Sequence, residues 1–445
     1  MTPLPPGPRL PAAVQAVLLA YRNIIFLDAC HRRWGDAFTL RLPGGTTLVC
    51  FTTPDAARDI LAAPPDLLTA GDVNAHDLGP VLGDNSLLLL DGRRHLEERR
   101  LMLPPFHGER LHAHAELIAE VTRRSVAGWP RGEPFALWEW MRAITLEVIL
   151  RAVFGLEGER LARHRELVAA LLGFASRRLL IMPAFRRDLG PLTPWRRFVA
   201  VRAQVREVVL ATVRERRADG GLEGRADILS VLLQARRPDG AALTDEEVYD
   251  ELLTVLVAGH ETTAAALAWT FDLLLHHPAE LPRLAASVAD GDELLDAVIR
   301  ESLRLRPVVP EIGRHLRAPA TIGGVALPRG VVAVLSIHLL HRREGLYPEP
   351  LAFRPDRFVG RRPDPHAWLP FGGGTRRCLG AAFATLEMRV VLRTVVGAVR
   401  LRAAAPGLEP ERRQVVTLVP RHGVRAIVTG ARQTRPPEVG SAAAR

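Results

Sequence analysis

The chain reads as mainly α-helical, with a smaller β-rich part. Three observations predict this. From Gly108 to Leu233 the apolar residues recur mostly at helical spacing. A longer helical pattern starts at Thr244 and runs to about His277, where Pro278 stops it. Strand-like alternation is confined to short stretches near 37–51, 320–340 and 415–428. With 445 residues and a hydrophobic fraction of 48% there is ample material for a large core. No linker or internal period divides the chain, so one domain over 1–445 is expected.

The formal charge is +10, and all 59 basic residues are arginine. They are dispersed among 49 acidic residues and accompany no nucleic-acid motif, so no nucleic-acid partner is expected. Three cysteines are too few for a disulfide framework, which fits a reducing interior. No basic-then-apolar leader opens the chain, and Gln15, Arg22 and Asn23 interrupt the apolar stretch from Pro11 to Leu27. A cytoplasmic protein without a membrane span is expected.

In chain order, residues 1–11 are a proline-rich lead-in, followed by a helix to about His31. Ala37–Leu42 and Thr46–Phe51 alternate around Pro43-Gly44-Gly45, which predicts a hairpin. Pro54–Leu61 predicts a short helix, and 69–90 reads as loop ending in the apolar run Leu87–Leu90. Gly92–Arg100 opens a helix that carries His95 and Arg99 on one face. That face either binds carboxylates or is simply solvated. Arg177–Trp195 is broken by Pro183, Pro191 and Pro194 and reads as helix–loop–helix.

The long helix opens on Thr244 and Glu247, a capping box. At ~1.5 Å per residue it is long enough to cross a domain. Its middle, Ala258-Gly259-His260-Glu261-Thr262-Thr263, is poor helix material. Weak local choices inside a strong helix point to a functional site. A zinc motif would need histidine at 264, where Ala264 stands. The segment instead suits an oxygen pocket: small residues leave room, Thr262 offers a hydroxyl and Glu261 a proton route. His260 is given a structural role.

Glu301-Ser302-Leu303-Arg304 is Glu-x-x-Arg on a helix, weak when it stands alone. Glu311 is unusual in the apolar stretch after Pro307; it either pairs with Arg314 or touches substrate. Residues 320–340 alternate around two turns, and Val415–Val419 with Val424–Val428 read as a second hairpin. The tail after Gly430 is expected to be disordered.

The most specific signal is Phe371-x-x-Gly374-x-Arg376-x-Cys378-x-Gly380, which runs into a helical pattern from Ala381 to Val396. A lone cysteine is most often a small buried hydrophobe. Here the helix mouth favours a thiolate. The glycines let the backbone approach a large flat group, and Arg376 adds positive charge. A single thiolate suits the axial position of haem iron.

This loop resembles the haem-binding loop of the cytochrome P-450 superfamily. Four further segments match the family in order: His95-x-x-x-Arg99, Ala258–Thr263, Glu301–Arg304 and Phe353–Phe358. Together they span nearly the whole chain, with no departure at the key positions. The resemblance implies a P-450 fold with haem b (iron protoporphyrin IX) between the long central helix and the Cys-loop helix. Cys378 would be the axial iron ligand, with Phe371, Gly372 and Gly380 in its loop and Ala258 facing it. His95, Arg99, Arg314 and Arg376 would hold the propionates. Glu301, Arg304 and Arg357 would form a buried structural set.

Thr262 and Glu261 would be catalytic. Ser86, Leu87, Gly259, Val309 and Val416 would line the substrate pocket, under a lid at 170–200. The implied activity is a monooxygenase of secondary metabolism. It would insert one atom of O2 into an apolar small molecule: a terpenoid, fatty acid, steroid or polyketide. Electrons would come from a separate ferredoxin or flavodoxin and its reductase. A non-oxygenating isomerase or dehydratase, and a haem-binding carrier or sensor without turnover, are the alternatives.

Overall fold

The computed structural model describes residues 3–432, apart from 107, 176–185, 187–189, 191–192 and 289–290. The expected break over Arg177–Trp195 therefore lies largely outside the described residues, as does the expected tail beyond 432.

The fold is built around the central helix Asp245–His276. Its start is fixed as the spacing predicts. The Thr244 hydroxyl accepts from the Glu247 N–H at 3.2 Å, and the Glu247 carboxylate accepts from the Thr244 N–H at 2.9 Å. Beyond the first turn the helix is buried on nearly every side, and it packs along Leu137–Phe154. By length and composition it could cross a membrane. However, 72% of its apolar window is buried inside the protein, which makes it a core helix.

The N-terminal region holds α1 (Ala12–Tyr21) and α2 (Asn23–Trp34), bent by 120° at Arg22, where the sequence predicts a single helix. The bend has a packing cause. The Gln15 carboxamide on α1 is tied to the Arg41 N–H, while α2 buries Phe26, Leu27 and Cys30 against Leu40, Cys50 and Val334. One straight helix cannot serve both. Next come β1 (Ala37–Arg41), β2 (Thr47–Phe51) and α3 (Pro54–Ala62), as expected. After β3 (Leu68–Thr69) the stretch that reads as loop contains α4 (Gly71–Leu78). Its first N–H groups, at Ala70 and Gly71, are capped by the distant Asp91 carboxylate at 2.9 Å each. A local pattern carries no sign of such a cap. The helix α5 (Gly92–Met102) follows.

The remaining strands are β4 (Pro134–Ala136), β5 (Glu311–Leu316), β6 (Ala320–Ile322), β7 (Val325–Leu327), β8 (Val332–Ser336), β9 (Val399–Ala403), β10 (Glu411–Gln414), β11 (Thr417–Pro420) and β12 (Arg425–Ala431). The principal sheet has the order β1-β2-β8-β5-β3, with β2 and β8 parallel. The predicted hairpin between 415–419 and 424–428 does not form. Instead β11 pairs with β10, through a turn in which Val415 has φ 55°, and β12 pairs with β4 and β9. The polar strand Glu411-Arg412-Arg413-Gln414 has no apolar alternation, so nothing in its local pattern announces it.

Candidate functional site

Cys378 closes a tight loop. Its N–H donates to the Phe371 carbonyl at 2.9 Å, around a 3-10 turn at Gly374–Arg376. The helix Ala381–Ala398 begins directly after Cys378-Leu379-Gly380, with Gly380 as its N-cap.

Of the three cysteines, Cys30 and Cys50 are buried and Cys378 is accessible. Burial pushes the Cys30 thiol up to about 11 and Cys50 well above its ordinary value. Surrounding protein also raises the Cys378 thiol, while the Gly380 N–H and the charges of Arg99 and Arg377 oppose that rise. The charge beside the sulfur thus comes from Arg99 and Arg377, not from Arg376 as the loop sequence suggests. Arg376 turns away to the Leu87 and Leu90 carbonyls and the Asp91 carboxylate.

The glycines divide by role. A Cβ on Gly374 would lie 2.1 Å from the Leu61 carbonyl oxygen, so this glycine lets the loop pack on α3. Gly372, at φ 62°, and Gly380 have no atom within 4 Å of where a Cβ would stand, so they face the open side of the loop. Phe371 is half-buried and packs edge-on to Trp368, with centroids 6.1 Å apart.

A cluster of arginines around a buried, neutral histidine adjoins the loop. His95 is buried, its Nδ1 has no hydrogen-bond partner, and burial with Arg376, Arg99 and Arg314 lowers its pKa to about 3. Arg314 is buried and its guanidinium donates to the Gly313 carbonyl at 2.8 Å; burial and Arg376 lower its pKa to about 10. Asp91 is the acid that pairs with this group, through Arg376. Such a cluster is under-neutralised and suits an anionic ligand.

On the central helix, Ala258 is exposed. The Thr262 hydroxyl donates to the Ala258 carbonyl at 2.6 Å, and that of Thr263 to the Gly259 carbonyl at 2.9 Å. The space that Gly259 leaves faces Ile149, 3.1 Å from a Cβ position, so it serves helix packing. His260 points away, with Nδ1 2.9 Å from the Thr145 hydroxyl, and burial lowers its pKa to about 3. Glu261 accepts from the Gln414 carboxamide, and burial raises its carboxyl against the pull of Arg142 and Arg412. Val416 is half-buried in the same β10–β11 turn, and Val309 is half-buried before β5. Ser86 is fully buried, its hydroxyl accepting from Thr254 at 2.7 Å, and Leu87 is also buried.

A model of the family described as "Cytochrome P450" matches residues 4–422. The chain belongs to the cytochrome P450 family. It is 42% identical over 438 residues to a Mycobacterium tuberculosis protein described as cytochrome P450 135B1, covering 96% of this chain and 92% of the relative. It is 39% identical over 431 residues to one described as cytochrome P450 135A1 from the same organism, covering 95% and 94%. Among solved structures, retinoic acid bound cyanobacterial CYP120A1 matches with a TM-score of 0.83 at 23% identity, covering 96% of this chain and 99% of that one. At that identity the likeness shows the fold. This P450 is an oxidoreductase of the monooxygenase family, whose cofactor is haem-thiolate iron protoporphyrin.

The residues present fit that cofactor. An accessible thiol at a helix mouth, open glycines beside it and an orphaned His95 nitrogen in a cationic cluster suit a flat iron-bearing group with two carboxylates.

Behind the loop, Glu301 and Arg304 are both 0% exposed and paired at 2.7 Å and 2.9 Å. Arg357 reaches Glu301 at 3.2 Å, and the Arg354 N–H donates to the same carboxylate at 2.9 Å. Arg304 also donates to the His341 and Pro350 carbonyls at 2.8 Å and 2.7 Å. Sequence reasoning misses His341. Its Nε2 accepts from the Leu369 N–H at 2.8 Å, so Nδ1 carries the proton toward the Arg304 carbonyl at 3.2 Å. It ties the Glu-x-x-Arg helix to the approach of the cysteine loop. Glu311 pairs with Arg413 rather than Arg314. Residues three apart on a strand point to opposite faces, so the expected pairing is excluded once β5 forms.

Proposed function

We propose that this P450 inserts one atom of O2 into an apolar small molecule, with Cys378 as the residue that would hold the haem iron. The observation that carries this reading is the accessible Cys378 sulfur beside the under-neutralised Arg99, Arg314 and Arg376, with the orphaned nitrogen of buried His95 among them. When bound, the haem supplies dioxygen activation, in the balance RH + O2 + two electrons + two protons giving ROH + H2O.

The chain's own residues do the rest. The Cys378 thiolate would hold the metal and supply it with electron density. Arg99, Arg314 and Arg376 would neutralise two carboxylates, with neutral His95 as a hydrogen-bonding partner, and the small side chain of Ala258 leaves room on the central helix. Thr262 holds a hydroxyl proton at Oγ1, and Glu261 passes protons at its carboxylate, steadied by Gln414. Val309 and Val416 supply apolar pocket wall. A ferredoxin or flavodoxin with its reductase supplies the electrons, and the chain acts as one cytoplasmic domain over 1–445. The substrate class is a terpenoid, fatty acid, steroid or polyketide.

The test is turnover of a panel of such compounds under ¹⁸O2, with a ferredoxin and its reductase. Product carrying one ¹⁸O supports the proposal. An unlabelled isomer or dehydrated product would sink it.

A further inference from the structure

We propose, resting on the oxygen-inserting activity above, that Glu311 and Asn23 form a head-group site. It selects substrates that carry a hydroxyl at the end away from the bond being oxidised. Asn23 opens α2 and is 3% exposed. Its Nδ2 donates to Glu311 Oε1 at 3.3 Å, which fixes the orientation of the amide. Asn23 Oδ1 and Glu311 Oε2 are then left buried with no hydrogen-bond partner among the described residues. Buried acceptors are costly unless a donor reaches them. Both lack the same thing, and a ligand O–H supplies it.

The site lies where α2, α4, β5 and β10 meet. Glu311 opens β5 and shares a strand face with Gly313. A Cβ on Gly313 would lie 3.0 Å from Val73, so α4 covers that face. Asp77 follows Val73 by one helical turn and is half-buried. Burial raises its carboxyl and Glu311 adds to the rise, against His76 and Arg413. Arg413 donates to Glu311 Oε1 and, through Nε, to the Val415 carbonyl at 3.0 Å. The residue between them, Gln414, holds Glu261. One turn therefore joins this site to the proton-carrying residue of the central helix.

The chemistry selects the occupant. A hydroxyl donates to the orphaned oxygens, whereas an ether offers them only lone pairs. A carboxylate adds a charge that Glu311 repels. Val73 and Val309 give apolar surface beside the acceptors, which suits an otherwise apolar molecule. A free fatty acid is thereby disfavoured, and an alcohol on a terpenoid, steroid or aliphatic skeleton is favoured.

The haem-loaded protein is titrated with dodecanol, geraniol and cholesterol, with the methyl ether of each and with dodecanoic acid, following the ferric spin-state shift. At least one alcohol should bind at least about ten-fold more tightly than its ether, and dodecanol more tightly than dodecanoic acid. Glu311→Gln and, separately, Asn23→Leu should bring the alcohol-to-ether ratio to within about two-fold, by loss of alcohol affinity with ether affinity kept. A purely structural role would weaken both ligands alike, and that result would overturn the proposal. So would ethers that bind as tightly as their alcohols, no shift with any alcohol, or variants that keep the preference. The carbon monoxide difference spectrum separates the two readings. A haem-loaded wild type without the red-shifted band overturns the haem-thiolate reading and this site with it. A protein with the band but no alcohol preference overturns this site alone.

Discussion

Thr262 and Glu261 are neighbours in the chain with separate environments. The Thr262 hydroxyl is held by a carbonyl one turn back, whereas Glu261 is held by Gln414 from a distant turn. Thr262→Ala should therefore keep the bound haem but waste electrons. Product per electron pair consumed should fall at least about ten-fold, measured by product yield against reductant used. Gln414→Leu removes the partner that steadies Glu261 and should lower the turnover rate without changing haem content. His260 gives a pH prediction. Its folded pKa of about 3 lies below the ordinary 6.5, so the unfolded chain takes up a proton that the fold refuses. His341 behaves alike, at about 3. Their stabilising contribution is complete above pH 6.5 and is lost progressively as pH falls toward 3. The melting temperature should drop through that window, and His260→Gln should drop less steeply.

Helices and their ends carry further tests. Arg304→Ala would leave Glu301 buried without its principal partner, at a cost of about 3–5 kcal/mol by denaturant unfolding. Arg357→Ala should cost less, because Arg357 is 12% exposed and makes one longer bond to Glu301. Thr244→Ala removes the cap of the central helix and should cost about 1 kcal/mol, with the haem site unaffected. Local signals make these elements legible in the sequence. The capping box, Glu-x-x-Arg and the Cys378 loop each lie within a few residues of chain. The elements that the sequence hides depend on distant partners: α4 is capped by Asp91, and β10 pairs with β11 despite its polar sequence.

Across the molecule, the contacts that organise the site join segments far apart. His341 meets Leu369, Gln414 meets Glu261, and Arg376 meets Asp91. None of these pairings has a sequence spacing to betray it. The helical class and the cysteine loop are legible because apolar period and glycine placement are local properties. The neighbours of each side chain are not, which is why the loop sequence points to Arg376 for the charge beside Cys378 that Arg99 and Arg377 supply.

The most direct measurement is the reduced carbon monoxide difference spectrum of wild type and Cys378→Ser, each with haem bound. A strongly red-shifted Soret band in wild type, absent from Cys378→Ser, is the expected result. A haem-loaded wild type without that band, or a Cys378→Ser protein that keeps it, would contradict the thiolate assignment and the chemistry derived from it.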